Sequence, residues 1–441
     1  MLDRNGGVHP QKPDGPPSTK HGIRPEISLA RDLINDARHK GIDAVVPALI
    51  ELNTKHPGIM TLAICHDDLT ARNIGSAFGC YLPWVPVVGT DTCRRLHSYK
   101  CTEISEDWRE SLSSEQRASV TGVVDSFIET ITSSGKMFKD NPKIHLEGVS
   151  EEGDTLSFVT RPARYAENAA ISLSMGNALY ELSKIGPIPH MVERDEKNVR
   201  QVLTLLAELN LEVGERGIDF SLGKSKLPHT LGVGGVLITQ DGYLIQALQG
   251  NKNMTSGGDF VPAISGSADP RPGTKSLFDP IADFSREKKE EQGNSPLSFL
   301  GISGVYQSLH RLGKPEVFLV GVLKDTLVEF LQKQALATDA PRSWELKVTM
   351  ANATKVLDLQ NGFNPSLGDD LRPSDRVVGT LQSSPGSEVA GTMQRGELTC
   401  QLEPPGKAAL LAHIRSGGLE NHVNQAALAA ALQYLEHSQK K

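Results

Sequence analysis

The chain of 441 residues predicts an α/β fold, and three observations carry that expectation. First, the run from Leu231 to Leu248 reads as two apolar strands joined by a turn at Asp241-Gly242, the strongest short-range hairpin signal in the sequence. Second, Asp279-Pro280 opens a helix with an N-cap acceptor and a proline at the first helical position, and Gly293 sits where a left-handed C-terminal cap belongs. Third, Val317 to Leu323 returns as an apolar strand. Strand, strand, helix and strand in that order make a mixed sheet with at least one helix against it.

The helix between the caps is about three turns long and holds the densest chemical signal of the chain. Residues Arg286 to Gly293 read R-E-K-K-E-E-Q-G. At helical spacing Glu287 is neighboured by Glu290 and Glu291, so all three carboxylates are expected to project toward a common volume. Each unrelieved like-charge pair costs roughly 0.2–0.5 kcal/mol in an isolated helix; a bound cation reverses that cost, and Arg286 offsets part of it by pairing with Glu290. Several carboxylates without a closed cage suit a hard divalent ion such as Mg2+, which shares its coordination with substrate phosphates. The same residues also make a solvated surface helix, since Lys, Glu and Gln are strong helix formers.

Hairpin, glycine-bearing loop, short acidic helix and return strand together resemble the Nudix hydrolase superfamily, whose box is written G-x5-E-x7-R-E-U-x-E-E-x-G-U with U a bulky apolar residue. Arg286, Glu287, Glu290, Glu291 and Gly293 fall on its R-E, E-E and G positions. The first half aligns in one of two ways. With Gly273 as the loop glycine, Asp279 stands near the place of the first glutamate; with Gly266 instead, the loop carries an insertion over 269–275. The two U positions are Lys288 and Asn294, so the helix is expected to dock less tightly or to use Ile281 and Phe284. The resemblance implies an α/β/α sandwich around a mixed sheet. It also implies a metal-dependent hydrolase that cleaves a diphosphate or phosphate-ester linkage in a nucleotide-like or other diphosphate metabolite. Glu287, Glu290 and Glu291 are then the ligands of Mg2+ or Mn2+, Arg286 orients a glutamate, and Gly266, Gly273 and Asp279 lie close to metal or phosphate. The alternative is a Nudix fold kept as a non-catalytic ligand-binding or scaffold module.

The flanking sequence is expected to form further units. Residues 1–24 are poor in large apolar side chains and read as a disordered tail. Residues 25–140 form an N-terminal α/β region, with helices at Ile27–Arg38 and Ser114–Ser134 and a buried strand at Gly58–Cys65 that ends in Cys65-His66-Asp67-Asp68. Residues 141–230 form a sub-domain, in which Ile144–Val149 and Thr155–Thr160 make a hairpin-like pair and Asn198–Leu211 a helix. Arg161 and Arg164 follow that hairpin; their guanidinium forks suit a phosphate clamp, and rim charges of an edge strand suit them equally. The Nudix-like core spans 231–335. Residues 336–441 add strands, Trp344–Met350 among them, and helices at 406–414 and 421–437, the last with an Ala- and Leu-rich face for covering the core or pairing with a second copy.

Composition bounds the partners. A net charge of −7 and a pI near 6.0 argue against a general nucleic-acid or anionic-membrane binder, which needs a basic face. No long apolar run or apolar signal core is present, which makes the cytoplasm the expected compartment and a small phosphorylated molecule the expected partner. The 5 cysteines include Cys65, Cys80, Cys93 and Cys101 near His66 and His97, but without the paired spacing of zinc sites, so buried free thiols are expected. Gly232-Val-Gly-Gly235 lies inside an apolar strand and is no dinucleotide fingerprint.

Overall fold

The computed structural model describes residues 24–74, 83–88, 98–135, 138–152, 155–183, 191–240, 244–249, 260–271, 278–326, 329–330, 333, 347–350, 379–381, 427 and 430–431. They form an α/β fold with two sheets. The larger is mixed, in the order β1 (Trp84–Val88), β9 (Leu297–Ser308), β10 (Lys314–Leu323), β5 (Gly232–Ile238), β6 (Leu244–Gln249), β11 (Lys347–Met350) and β12 (Gly379–Leu381). Two short strands join it off this path: β7 (Phe260–Pro262) pairs with β6, and β8 (Ile264–Ser267) with β5. β10 runs parallel to β5, and the other described pairs in this sheet are antiparallel. The smaller sheet has the order β2 (Ser98–Glu103), β4 (Thr155–Arg164), β3 (Pro142–Glu152).

The hairpin predicted from 231–248 is β5 and β6, paired antiparallel; its turn at Asp241-Gly242 lies outside the described residues. The glycines of β5 have a packing reason. A side chain at Gly235 would collide with the Leu319 carbonyl of β10, so the parallel pair closes only with glycine there. The helix predicted after Asp279 is α9 (Pro280–Gln292), and Gly293 ends it at φ 71°. Phe284 is fully buried in the core of the large sheet and Ile281 packs against it, so α9 docks through these two, while Lys288 turns its ammonium back onto the Gly293 carbonyl at 3.0 Å.

The N-terminal helices are α1 (Pro25–Lys40), α2 (Ile42–Lys55), α3 (Ile59–Ile64), α4 (Asp67–Ala71) and α5 (Ser114–Ser133). The segment expected to be a buried strand at Gly58–Cys65 is instead α3. Gly58 adopts the left-handed conformation before it (φ 81°), and a short run that is apolar on every side fits a buried helix as well as a buried strand. Cys65-His66-Asp67-Asp68 is a helix start, with Asp67 held by Arg31 at 2.6 Å and Asp68 by Arg216. Cys65 is buried and Cys101 half-buried; Cys80, Cys93, Cys400 and His97 lie outside the described residues, as do residues 1–23 and 406–414.

Apolar cores cut across the expected boundary at 140/141. One core joins α1, α2, α3 and α5 to α6 (Tyr165–Glu167), α7 (Ser174–Ser183) and α8 (Met191–Glu208). The other joins the large sheet and α9 to the small sheet through Ile144, Leu146, Leu156 and Phe158. β1 comes from the N-terminal region yet is a strand of the large sheet. Towards the C-terminus Ala427, Ala430 and Ala431 are buried. No helix among the described residues is long and apolar enough to cross a membrane.

Between the cores, His145 stacks on Trp108 and on His229 (ring centroids 5.6 and 5.7 Å). The His229 amide donates to His145 Nδ1 at 3.1 Å. Burial pushes His229 down from 6.5 to about 4 and, with the charges of His229 and Arg161, holds His145 well below its ordinary value.

Two outcomes follow from this packing. Phe284→Ala should lose about 3–5 kcal/mol in chemical denaturation, because it empties the contact that docks α9. Because His229 is neutral when folded and takes a proton more easily when unfolded, its contribution is present above pH 6.5 and fades as the pH falls toward about 4. The loss should reach roughly 3 kcal/mol in full, read as a falling denaturation midpoint in the wild type and a flatter profile in His229→Gln.

Candidate functional site

Helix α9 stands against β8, and polar groups join the apolar packing of Phe284 and Ile281 in holding it there. β8 pairs with β5 along one side. On α9, Glu291 accepts the Ser265 N–H at 3.2 Å, and the Gln292 amide donates to the Ala263 carbonyl at 2.8 Å. Between them, the Glu287 carboxylate occupies the place where a side chain at residue 266 would stand, and Gly266 leaves that place empty. Glu287 and Glu291 are one helical turn apart, so the two carboxylates lie side by side on adjacent residues of one strand.

The sequence placed Glu290 with them, and the structure separates it. Glu287 is 12% exposed and Glu291 8%, whereas the Glu290 side chain is 57% exposed. Helical geometry is the reason: Glu290 lies about 60° from Glu287 on one side and about 100° from Glu291, so once Glu287 and Glu291 face β8 it turns to solvent. Among the described residues, no group of three or more His, Cys, Asp and Glu side chains is arranged to hold a metal ion.

Arg286 organises the carboxylates. Its guanidinium reaches Glu287 at 2.8 Å, Asp269 at 3.2 Å, Glu290 at 3.3 Å and Asp283 at 3.9 Å. Burial opposes its charge, and Glu287, Asp269, Glu290 and Asp283 together outweigh that opposition and raise its pKa. Asp269 is also paired to Lys143 of β3, so the small sheet is tied to this cluster. Asp283 is 1% exposed; burial raises its pKa against the pull of Arg271, 3.2 Å away, and of Arg286.

The remaining predicted residues fall as follows. Asp279 is the N-cap of α9, accepting the Ala282 N–H at 2.9 Å, and it also bonds the Tyr99 hydroxyl of β2. Gly273 lies outside the described residues. Arg161 and Arg164 are engaged elsewhere, Arg161 by Glu147 (2.9 Å) and Glu106 (3.7 Å), Arg164 by Asp140 (2.6 Å). Their strand, β4, is the middle one of its sheet, not an edge. Sequence reasoning missed Asp269, Arg271, Asp283 and Lys143. Asp283 had a readable signal, since it precedes Glu287 and Glu291 at intervals of four and completes a row of three acids on the helix. The other three come from loops and a strand, and only the fold brings them here.

No family model matches this chain, and no curated protein matches it.

Two carboxylates fixed on one strand, beside an open cleft, suit a divalent ion of the kind that takes one or two protein carboxylates and completes its shell with water and phosphate oxygens. Gly266→Ala should show how tight this arrangement is. The added methyl must displace the Glu287 carboxylate, so urea denaturation should report a loss of about 1–3 kcal/mol, and divalent-ion affinity should fall with it.

Proposed function

We propose that this protein is a metal-dependent hydrolase of the Nudix type, cleaving a diphosphate or phosphate-ester linkage in a small phosphorylated metabolite in the cytoplasm. The observation that carries the reading is the seating of Glu287 and Glu291 against Gly266 and Ser265 of β8. The box-like spacing of Arg286, Glu287, Glu291 and Gly293 supports it, as does the position of α9 between an antiparallel hairpin and the strands that follow.

In this reading Glu287 and Glu291 hold Mg2+ or Mn2+. When bound, that ion supplies charge neutralisation for the phosphates and a more acidic water. The chain's own residues do the rest. Gly266 lets the strand come close enough for Glu287 to lie on it. The Ser265 N–H fixes one oxygen of Glu291 against the strand. Arg286 holds Glu287 from the opposite side and is itself anchored by Asp269 and Lys143, so the carboxylate does not swing into solvent. Phe284, buried beneath, sets the height of the helix above the sheet.

One observation favours a second reading, a binding module on the same fold. Arg286 neutralises Glu287 directly and Glu290 beside it, an arrangement that is self-sufficient without a cation. Turnover separates the two. Phosphate release from a panel of nucleoside diphosphate derivatives should require Mg2+ or Mn2+ and stop with chelator. Outer partners of metal ligands alone cost roughly 10–100-fold when lost, so Glu287→Gln and Glu291→Gln should each fall further than that, and Glu290→Gln much less. Ligand-induced stabilisation that is indifferent to metal and accompanied by no turnover would establish the binding module instead.

A further inference from the structure

The small sheet is joined to the large one by backbone hydrogen bonds, and a pair of histidines sits on that junction. Residues 229–231, just ahead of β5, lie antiparallel beside β3: the Leu146 N–H donates to the His229 carbonyl at 2.9 Å, and the Leu231 N–H to the Ile144 carbonyl at 2.8 Å. A third bond closes the junction through a side chain, the His229 N–H donating to Nδ1 of His145 at 3.1 Å. His145 and His229 are 3% and 1% exposed, and their rings stack in a column with Trp108, which stands on a short 3-10 turn (Trp108–Ser111) and belongs to the helical core.

The third bond decides where His145 carries its proton. An Nδ1 that accepts an amide hydrogen has none of its own, so the neutral ring is protonated on Nε2, which faces the Glu147 carboxylate at 3.7 Å. A second proton goes to Nδ1, where the His229 N–H already points. Two donors then face each other at a buried position, and the bond is lost. The charged groups facing His145 are Glu147 on its own strand and Arg161 opposite it on β4, with Glu106 behind Arg161. His229 faces it from residues 229–231, and Trp108 brings an uncharged ring. Burial opposes a charge on His145 most, followed by His229 and Arg161; Glu147 favours it but is already engaged by Arg161 at 2.9 Å.

We infer that this junction is an acid-sensitive latch: proton uptake by His145 breaks its bond to the His229 amide, and residues 229–231 part from β3 while β5 and β10 stay paired. The latch goes beyond the proposed hydrolase and does not rest on it. It does reach the same region, because Lys143 stands two residues before His145 on the same face of β3 and holds Asp269, the anchor of Arg286; parting the strands loosens that anchor. The closed state holds the ring neutral, and the open state takes the proton at an ordinary histidine pKa of roughly 6.5. The latch is therefore closed above that pH and opens progressively below it, each proton taken up raising the opening equilibrium about tenfold per pH unit.

The test is backbone amide exchange in the full chain from about pH 7 to about pH 5, corrected for the intrinsic effect of pH on exchange. The amides of Leu146, His229 and Leu231 should open at least about tenfold more per pH unit below about pH 6, while those of Phe318 to Val320 in β10 stay protected. His145→Asn puts an acceptor oxygen where Nδ1 stood and takes up no proton, so its slope should fall by one proton, about tenfold per pH unit. An unchanged slope in that variant, or protection in β10 lost in step with the junction, overturns the latch. The wild type supplies a check that needs no variant. At about pH 7.5 the ring 15N resonances of His145 should report a neutral ring protonated on Nε2, and a charged ring or a proton on Nδ1 would overturn the latch as well.

Discussion

The edge of β8 is closed by the side chains of α9, and the candidate site depends on that contact. A strand with one unpaired side offers N–H and C=O groups that need partners. Here Gln292 meets the Ala263 carbonyl and Glu291 meets the Ser265 N–H, so an edge that would otherwise need another strand or water is finished by a helix. The satisfied backbone fixes the rotation of α9, and that rotation chooses which acids face the sheet. Glu287 and Glu291 turn inward, Glu290 outward. Phe284 supplies the apolar part of the same constraint, setting the distance that the polar groups then use.

Charge is managed by sharing. One guanidinium serves four carboxylates around Arg286, and one carboxylate, Glu316, serves both Arg311 (3.3 Å) and Lys314 (2.9 Å) deep inside the protein. Shared partners of this kind hold geometry more than they add stability, since desolvation offsets much of the attraction between buried charges. The cluster at Arg286 differs from the one at Glu316 in facing a cleft. Its outermost members, Asp269 and Glu290, are 41% and 57% exposed and open to solvent or ligand.

Much of this was legible in the sequence. Hairpin, capped helix and return strand were each given by local rules, because glycine and proline punctuation and a dense run of helix formers act over a few residues. Pairing Arg286 with Glu290 followed from spacing alone. The third expected member of the acidic trio did not hold, because spacing tells which acids are neighbours and not which way the helix is rolled; the edge of β8 decides that. Gly58–Cys65 went to a helix because a short apolar run carries no period. Lys143 and Asp269 were out of reach, their meeting being a product of the small sheet packing on the large one. The spacing of Ala427, Ala430 and Ala431 puts three small side chains on one face, and all three are buried.

The most direct measurement is the effect of Mn2+ on the backbone amide resonances of Ser265 and Gly266 in the isotopically labelled full chain. If Glu287 and Glu291 hold the ion against β8, these amides broaden selectively at stoichiometric Mn2+, and the broadening disappears in Glu291→Gln with the fold intact. Undisturbed resonances at 265 and 266, or broadening centred on another part of the protein, would contradict the assignment of this helix and strand as a metal site.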